Sequence, residues 1–364
     1  MNGVPWGASE ELWCQTAHRL LSRKIRVSAN VVWWPTVPSQ LTALEAAGCN
    51  VMRRKVNGPR AALMNRAMPK RMYKWLDQTR PNIVVISQGS NIDAAPWMDA
   101  CRVRGIRFAC IAHAAAEHIW PEDTDALAIA RCYEAAAGAY FVSEGNLALT
   151  RTQLATPLSH ASIVRNPFQV RYEASPAWPS TDPTFRLACV GRLTPKAKGQ
   201  DIIIQLMAQP KWQNRNVSVS IYGEGPNRDS LIRLGNMLGA DNVAFEGHVS
   251  SVEKIWETCH ALILPSRYEG LPLTVVEAMM CGRPCIVTDV AGNREIVDDN
   301  VTGFIAAASN VRQVDEALER AWTRRDEWQA IGALAAESIR AKVPSDPIEE
   351  FVEMLAALSE RVSH

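Results

Sequence analysis

The sequence predicts an α/β protein of two domains, each built on a parallel sheet with helices on both faces. Short apolar segments alternate along the chain with longer helical patterns, which is typical of parallel sheets. With 364 residues the chain is longer than the ~250–300 residues at which single cores stop growing. The apolar content of 47% is sufficient for two cores. A Pro-, Ser- and Thr-rich stretch near residues 172–183 separates two such halves.

The first half opens with a glycine-containing loop and a helix over residues 10–22. Ser9 suits the N-cap of this helix, and Glu10 and Glu11 favour its first turn. Predicted strands and helices then alternate as far as Asn166-Pro167. The strands are 25–34, 50–53, 83–87, 106–112, 139–143 and 163–165, and the helices are 39–47, 60–79, 97–104, 124–136 and 146–154.

The second half repeats this alternation and ends in three helices. Its strands are predicted at 185–190, 217–222, 243–245, 261–264, 285–288 and 303–305, and the helices at its end at 311–328, 329–342 and 348–361. We therefore expect domains over residues 1–170 and 184–345, joined by a linker at 171–183, with a terminal helix in 346–364.

Charge and cysteine usage limit the class of protein. No apolar run reaches the ~18 residues of a membrane span and no signal peptide is recognised, so we expect a cytoplasmic protein whose nine cysteines are reduced. Residues 53–107 contain twelve Lys and Arg but three Asp, a net charge of +9 in a chain of net charge +1. Such a segment suits anionic lipid headgroups or a phosphorylated acceptor, and a solvated basic helix is the alternative. No nucleic-acid-binding module is recognised.

Residues 262–288 contain the most informative motif, a buried strand, a loop, a helix and a second buried strand. Glu269 lies in the loop and Glu277 in the helix. A helix N-terminus offers unpaired N–H groups and partial positive charge, so it can hold a phosphate without a metal. The two carboxylates would accept hydrogen bonds from hydroxyls on either side of that phosphate. A phosphate flanked by two polyols describes a nucleotide sugar.

The motif, read with others, resembles those of the retaining glycosyltransferases of family four. The two glutamates form an E-x7-E pattern. The supporting motifs are Gly191-Arg192, Lys198-Gly199, Gly223-Glu224-Gly225-Pro226 and Gly282-Arg283-Pro284. The resemblance implies the GT-B fold, in which two Rossmann-like domains face a cleft and the terminal helix returns to the first domain. It also implies a nucleotide-sugar donor, retention of configuration and no metal.

The resemblance assigns the donor site mainly to the second domain. Arg192 and Lys198 correspond to cations that bind the diphosphate, with Lys196 as a rival and two solvated cations as the alternative. Electrostatic stabilisation of a departing diphosphate is the chemistry expected of them. The remaining donor-binding candidates lie in loops and helix starts: Gly191, Gly223, Glu224, Val249, Gly270, Leu271, Leu273, Thr274 and Glu277, beside the catalytic candidate Glu269. Glu224 is nearly as well explained as a helix-start acid, and His248 is better explained as a solvated loop histidine beside Val249.

Two candidates lie in the first domain. His113 follows the predicted strand 106–112, where the resemblance places a histidine near the donor sugar; His118 is its competitor, and a core-edge histidine is the alternative. Gly7 corresponds to a loop that approaches the donor diphosphate. Family members have a buried strand before this loop, and no such strand is recognised here, so either the start is shortened or another strand closes the sheet.

We therefore expect a glycosyltransferase that acts in cell-surface polysaccharide or glycolipid synthesis. No Asp-x-Asp, HExxH or paired-cysteine metal motif occurs in a suitable setting, so no cofactor is expected. The alternatives are a GT-B epimerase or phosphorylase, and a non-catalytic subunit that binds a nucleotide sugar. The sugar, the base, the acceptor and the linkage are not specified by the sequence.

Overall fold

A computed structural model describes residues 6–55, 68–180 and 184–360. The chain divides into two compact units, residues 1–167 with 346–364 and residues 168–345. The predicted elements of the α/β alternation are present, and most of their ends differ from prediction by one to three residues. All nine cysteines are buried and unbridged. No helix in the described ranges is both long and apolar enough to cross a membrane.

The first unit contains two parallel sheets rather than one. A two-stranded sheet pairs β1 with β2, and a four-stranded sheet has the order β3-β4-β5-β6. No strand in the described residues pairs with both β1 and β3, so no other strand closes the sheet there. The elements are α1 (Ala8–Ser22), β1 (Ser28–Val32), α2 (Ser39–Ala46), β2 (Asn50–Arg54), α3 (Met68–Thr79), β3 (Val84–Gln88), α4 (Ala95–Val103), β4 (Phe108–Ala112), α5 (Asp123–Glu134), β5 (Gly138–Phe141), α6 (Glu144–Leu154), β6 (Ala161–Ile163) and the terminal helix Pro347–Glu360.

Helix α1 connects the two sheets because two of its faces are apolar. Leu12 packs in the core beside Ile111 of the four-stranded sheet and Phe351 of the terminal helix. Cys14 and Ala17, on another face of α1, pack in the core of the two-stranded sheet. Burial on both faces, rather than helix propensity, fixes this helix in place.

The start of α1 differs from prediction. Gly7 is the N-cap of α1, and Ser9 lies inside the helix, where its hydroxyl donates to Glu10 at 2.8 Å. Helix α3 is described from Met68, with Pro69 as its second described residue. The predicted helical residues 60–67 lie outside the described residues.

The second unit has a single parallel sheet of six strands, in the order β12-β11-β10-β7-β8-β9. Its strands are β7 (Phe185–Val190), β8 (Val217–Tyr222), β9 (Val243–Gly247), β10 (Ala261–Leu264), β11 (Cys285–Thr288) and β12 (Gly303–Ala306). Its helices are α7 (Pro195–Lys198), α8 (Gln200–Met207), α9 (Pro210–Gln213), α10 (Arg228–Leu238), α11 (Glu253–Trp256), α12 (Leu273–Met280), α13 (Asn293–Ile296), α14 (Val311–Thr323) and α15 (Trp328–Lys342), with a 3-10 turn at Arg325–Glu327. The terminal helix is α16.

The linker prediction is wrong for the described part of residues 171–183, which packs as part of the second unit. Arg283, 2% exposed, donates to the carbonyl of Ala177 at 2.8 Å. Arg340 donates to the carbonyls of Tyr172 and Ala174 at 2.8 and 2.9 Å. Buried backbone carbonyls need donors, and these two arginines supply them. The sequence pattern at Gly282-Arg283-Pro284 therefore has a packing role as well as ending α12.

A glycine in α15 gives a direct test of this packing. A Cβ added at Gly332 would lie 2.0 Å from the carbonyl oxygen of Gly282, whereas one added at Gly235 in α10 would meet nothing within 4 Å. We expect Gly332→Ala to destabilise the second unit by about 1–3 kcal/mol through overpacking. Gly235→Ala should instead stabilise it by about 1 kcal/mol, the usual helix-propensity gain. Urea unfolding of both variants checks this, and a stable Gly332→Ala protein would contradict the packing.

Candidate active site

The order of the six-stranded sheet fixes where a ligand is expected in the second unit. Strands β10 and β7 are neighbours, and the chain winds outward from them in opposite directions. In open parallel sheets, ligands bind beyond the carboxyl ends of the strands at such a switch point. The loop after β7 contains Arg192 and Lys198, and the loop after β10 contains Glu269. The predicted site residues therefore lie on the two loops at the switch point.

Two glycines hold the loops of this edge against one another. Gly199 has a φ of +69°, and a Cβ there would lie 2.1 Å from the carbonyl oxygen of Pro265 in the loop after β10. Gly223 has a φ of +125°, and its Cβ would lie 2.2 Å from the carbonyl oxygen of Gly191. The Gly223 N–H also donates to the carbonyl of Gly247 at 2.7 Å. Only glycine permits these approaches, so three loops form one fixed edge.

Lys198 and Glu269 form an ion pair in this edge. The Lys198 Nζ donates to Glu269 Oε1 at 2.6 Å, and the Ser266 hydroxyl donates to the same oxygen at 2.7 Å. Glu269 is 8% exposed and the Lys198 side chain 22%. Glu269 Oε2 accepts no hydrogen bond from the described residues. The ammonium is thus held in place by a carboxylate whose second oxygen can accept a further hydrogen bond.

Gly191 and Arg192 lie beside this pair. The aliphatic part of Lys198 passes over Gly191, since a Cβ at Gly191 would lie 3.6 Å from Lys198 Cε. Arg192 is half-buried, and its carbonyl oxygen accepts a hydrogen bond from the Gln200 side-chain amide at 2.8 Å. This bond fixes the backbone that carries the guanidinium. The rival Lys196 is exposed and lies two residues before Lys198 on the short helix α7.

Helix α12 begins at the switch point without a side-chain cap. Its N-cap is Pro272, which lacks a capping side chain. The Thr274 hydroxyl at the second helical position is buried and has no partner among the described residues. Leu271 and Leu273 are buried, and the Gly270 carbonyl accepts from the Gly292 N–H at 3.0 Å. An uncapped first turn with an unpaired hydroxyl suits an oxyanion ligand.

Glu277 is the most strongly perturbed acid of this unit. Its side chain is 3% exposed, and Oε1 accepts a hydrogen bond from the Gln169 N–H at 2.8 Å. Burial raises the pKa of Glu277 to about 7, against the opposing effect of that hydrogen bond. Oε2 accepts nothing from the described residues. The carboxyl group lacks the cation that Glu269 has, so it favours a ligand that donates hydrogen bonds.

The structure does not bring Glu224 or Val249 into a polar contact that assigns them a role. The Glu224 side chain is exposed, and its carbonyl oxygen accepts from the Leu193 N–H at 3.0 Å. Val249 is half-buried, two residues after β9, and His248 is exposed. The donor-binding roles of Glu224 and Val249 stay predictions.

In the first unit, His113 follows β4 as predicted and is 7% exposed. Its Nε2 lies 3.0 Å from the Ser87 hydroxyl. Burial lowers the pKa of His113 to about 4, although the nearby Asn166 side chain favours the charged form. The imidazole is therefore neutral at pH 7. No hydrogen bond of normal geometry reaches its Nδ1 within the described residues, so that nitrogen is left for a ligand.

The other predicted histidine and glycine of this unit are placed differently. His118 is exposed. Gly7 has a φ of −159°, which any residue adopts, and a Cβ there would lie 3.2 Å from the flexible Glu10 carboxylate. The structure therefore gives no reason for glycine at this position, and a donor-binding role for Gly7 stays a prediction.

Three residues that position the candidates are not among the predicted site residues. Ser266 donates its hydroxyl to Glu269 Oε1, and a hydroxyl three residues before a candidate glutamate is a signal that the sequence carries. Gln169 acts through its backbone N–H, for which the sequence carries no signal. Ser87 is the last residue of the predicted strand 83–87, and its contact with His113 depends on the pairing of β3 with β4.

The buried His113 predicts acid sensitivity. A histidine whose pKa is about 6.5 when unfolded and about 4 when folded contributes stability at neutral pH. That contribution, about 3 kcal/mol, is lost as the pH falls from 6.5 to 4. We expect His113→Gln to flatten the pH dependence of the free energy of unfolding in this window. The same slope in both proteins would show that His113 is solvated.

Residues 171–337 match the family model of glycosyl transferases group 1. This part of the chain is similar to group 1 glycosyltransferase domains. The match includes every candidate of the second unit, and the predicted resemblance is confirmed.

An α-D-kanosaminyltransferase of Streptomyces kanamyceticus is 30% identical over 134 residues, 36% of this chain and 34% of the relative. A GDP-mannose-dependent α-(1-6)-phosphatidylinositol monomannoside mannosyltransferase of Mycobacterium tuberculosis is 30% identical over 168 residues, 43% of each chain. The matches thus span less than half the length of these relatives.

Solved structures resemble the whole chain more completely than these relatives do. HepE of Anabaena in complex with UDP has a TM-score of 0.74 at 17% identity, covering 98% of this chain and 97% of that one. WaaB, a lipopolysaccharide outer core galactosyltransferase in its apo form, has a TM-score of 0.72 at 18% identity, covering 97% and 96%. At this identity the likeness establishes the fold. The predicted GT-B fold, with two α/β units, is confirmed.

Proposed function

We propose that this protein transfers a sugar from a nucleoside-diphosphate sugar to an acceptor hydroxyl, with retention of configuration and without a divalent metal. The observation that carries the proposal is the group formed by Lys198, Glu269 and Ser266 at the switch point of a domain similar to group 1 glycosyltransferases. A cation paired with a carboxylate beside an uncapped helix start provides both a diphosphate site and a hydroxyl acceptor.

In this mechanism the second unit holds the donor. Lys198 and Arg192 stabilise the negative charge that develops on the leaving diphosphate, together with the first turn of α12. Glu277 accepts hydrogen bonds from hydroxyls on the nucleoside side, and Glu269 from hydroxyls of the sugar. These cations and the helix start take the electrostatic role that a metal plays elsewhere, which supports a metal-independent reaction.

We assign acceptor binding to the first unit, in which His113 follows β4. The acceptor oxygen forms a bond to the anomeric carbon on the face from which the diphosphate departs. The carbon–oxygen bond to the diphosphate breaks, and the acceptor proton passes to an oxygen of the leaving diphosphate. A neutral imidazole such as His113 accepts or donates one hydrogen bond near the sugar without adding charge.

The names of the similar proteins suggest which kinds of substrate this protein uses. One mannosyltransferase uses GDP-mannose and acts on a phosphatidylinositol mannoside, and a structural relative binds UDP. We propose a role in cell-surface polysaccharide or glycolipid synthesis at the inner face of a membrane. The cations Lys70, Arg71 and Lys74 are exposed on α3 and support a peripheral contact with anionic lipid.

Phosphorus-31 NMR of the donor tests the activity. Sugar transfer releases a nucleoside diphosphate, and the release depends on an acceptor supplied as a cell-envelope extract. An epimerase would instead convert the donor sugar without acceptor and without free diphosphate, and a phosphorylase would require inorganic phosphate. Binding of a nucleotide sugar with no turnover under any of these conditions would identify a non-catalytic subunit and overturn the proposal.

A further inference from the structure

Arg54, the last residue of β2, is a partly buried cation that no described carboxylate neutralises. Its neighbour Arg53, by contrast, is paired with a carboxylate. Arg53 forms two hydrogen bonds to the Glu45 carboxylate, both of 2.7 Å. Arg54 donates only from Nη1, to the carbonyl and side-chain oxygens of Asn30 at 3.0 and 2.5 Å. Burial lowers the pKa of Arg54. A half-buried guanidinium without a counter-ion is costly unless an anion binds it.

The free edge of this guanidinium has the shape that an oxyanion requires. Nε is buried and has no partner, and Nη2 donates to none of the described residues. The N–H groups of Nε and Nη2 point in parallel from one side of the planar group, and such a pair binds phosphate or carboxylate oxygens in bidentate fashion. The Asn30 contacts at Nη1 leave this edge unoccupied.

The guanidinium is also held in one orientation. Its Cζ lies 5.4 Å from the ring centroid of Trp97, within the range of a cation–π interaction. Trp97 in turn packs edge-to-face against Trp75, at a centroid distance of 6.0 Å. The Trp75 indole N–H is buried and is a second donor without a partner. A guanidinium held in this way is preorganised for an acceptor-rich ligand.

The position and the charge of the surroundings favour phosphate. Arg54 pairs with Val32 in the register of β1 and β2, so it lies at the carboxyl edge of the two-stranded sheet. Parallel α/β sheets bind ligands at this edge. Lys55 follows at once, with its ammonium 5.0 Å from the centroid of Trp33. The segment 53–107 has a net charge of +9, which attracts a multiply charged anion more strongly than a single carboxylate.

We propose that Arg54 is the centre of an anion-binding site in the first unit that receives a phosphate ester group of the acceptor. This inference rests on the proposed sugar transfer, because only that activity makes the phosphate-bearing molecule an acceptor. Binding of the phosphate itself does not depend on turnover. The site is formed by residues of the first unit alone, so its occupancy is measured separately from donor binding.

NMR of the Arg54 side-chain Nε–H tests the site. The signal is assigned by its absence in Arg54→Lys, and the full-length protein is titrated with inorganic phosphate against sodium chloride of equal ionic strength. We expect a saturable downfield shift with phosphate only, and the same shift in the matched control Arg53→Gln. A wild-type signal that does not respond, or that responds equally to chloride, would overturn the proposal without affecting the donor site.

Two further titrations identify the kind of molecule that carries the phosphate. Glycerol 3-phosphate tests a soluble phosphate ester, and vesicles of phosphatidylglycerol in phosphatidylcholine test a lipid headgroup, each followed by the same Nε–H signal. A response to either supports the site and names its source, whereas a response to neither overturns the assignment to a phosphate ester. Arg54→Lys keeps the charge but loses the fork, so we expect more than tenfold weaker phosphate binding by calorimetry. Equal affinity would show that no bidentate contact forms.

Discussion

Replacing Lys198 by alanine is expected to reduce sugar transfer by about 10²–10³-fold, the usual cost of removing one group that stabilises developing negative charge. The Lys198 ammonium is 2.6 Å from Glu269 Oε1 and lies on the loop at the switch point. The substitution removes the positive charge that stabilises the leaving diphosphate. The rate of nucleoside diphosphate release at saturating donor measures the effect.

Lys196→Ala is the matched control for this change. Lys196 is exposed on the same short helix and forms no ion pair in the described structure. We expect its loss to leave the rate within a few-fold of wild type. Because Lys198→Ala also leaves Glu269 without its cation, urea unfolding of Lys198→Ala separates a folding defect from a catalytic one. A large loss of activity in Lys196→Ala, with little in Lys198→Ala, would reverse the assignment of the two lysines.

Replacing Glu277 by glutamine is expected to stabilise the protein at pH 8 while it weakens donor binding. Folding raises the pKa of Glu277 from an ordinary value of 4.5 to about 7, so the folded state retains a proton that the unfolded chain loses. The stabilising contribution is complete below pH 4.5 and is lost as the pH rises to about 7. The loss amounts to about 3 kcal/mol at pH 8, and glutamine avoids it.

Urea unfolding of wild type and Glu277→Gln at pH 5 and pH 8 checks the predicted change in the free energy of unfolding. The gap between the two proteins should widen with pH, and calorimetry at pH 8 should show the loss of donor affinity. Glu269→Gln serves as the comparison, because it removes the partner of Lys198 and should destabilise the protein instead. An equal gap at both pH values would show that the Glu277 carboxyl is solvated in the folded state.

The sequence predicted the second unit better than the first. Strand β10 and helix α12 were found from an apolar run, a Gly-Leu-Pro loop and the spacing of two glutamates, all of which are local signals. The ion pair of Lys198 with Glu269 was not predicted, although both residues were. They are 71 positions apart, and the pairing depends on β7 lying beside β10, which periodicity does not specify.

The errors have similar causes. The linker was predicted from Pro, Ser and Thr composition, but the carbonyls of that segment are bound by Arg283 and Arg340 from distant parts of the chain. Arg54 was counted only as one charge of a basic segment, because sequence cannot show that Glu45 binds Arg53 and leaves its neighbour unneutralised. The division of the first unit into two sheets likewise depends on pairings beyond the local pattern.

The central claim is a metal-independent nucleotide-sugar site in the second unit, and a thermal-shift panel tests it most directly. UDP, GDP, ADP and their common sugars are added to wild type and to Glu277→Ala, with and without EDTA. A ligand present at one hundred times its Kd adds about 2.7 kcal/mol of stability. We predict that one base family stabilises the wild type, that EDTA does not reduce the shift, and that Glu277→Ala loses it. No shift with any nucleotide, or a shift abolished by EDTA, would contradict the account.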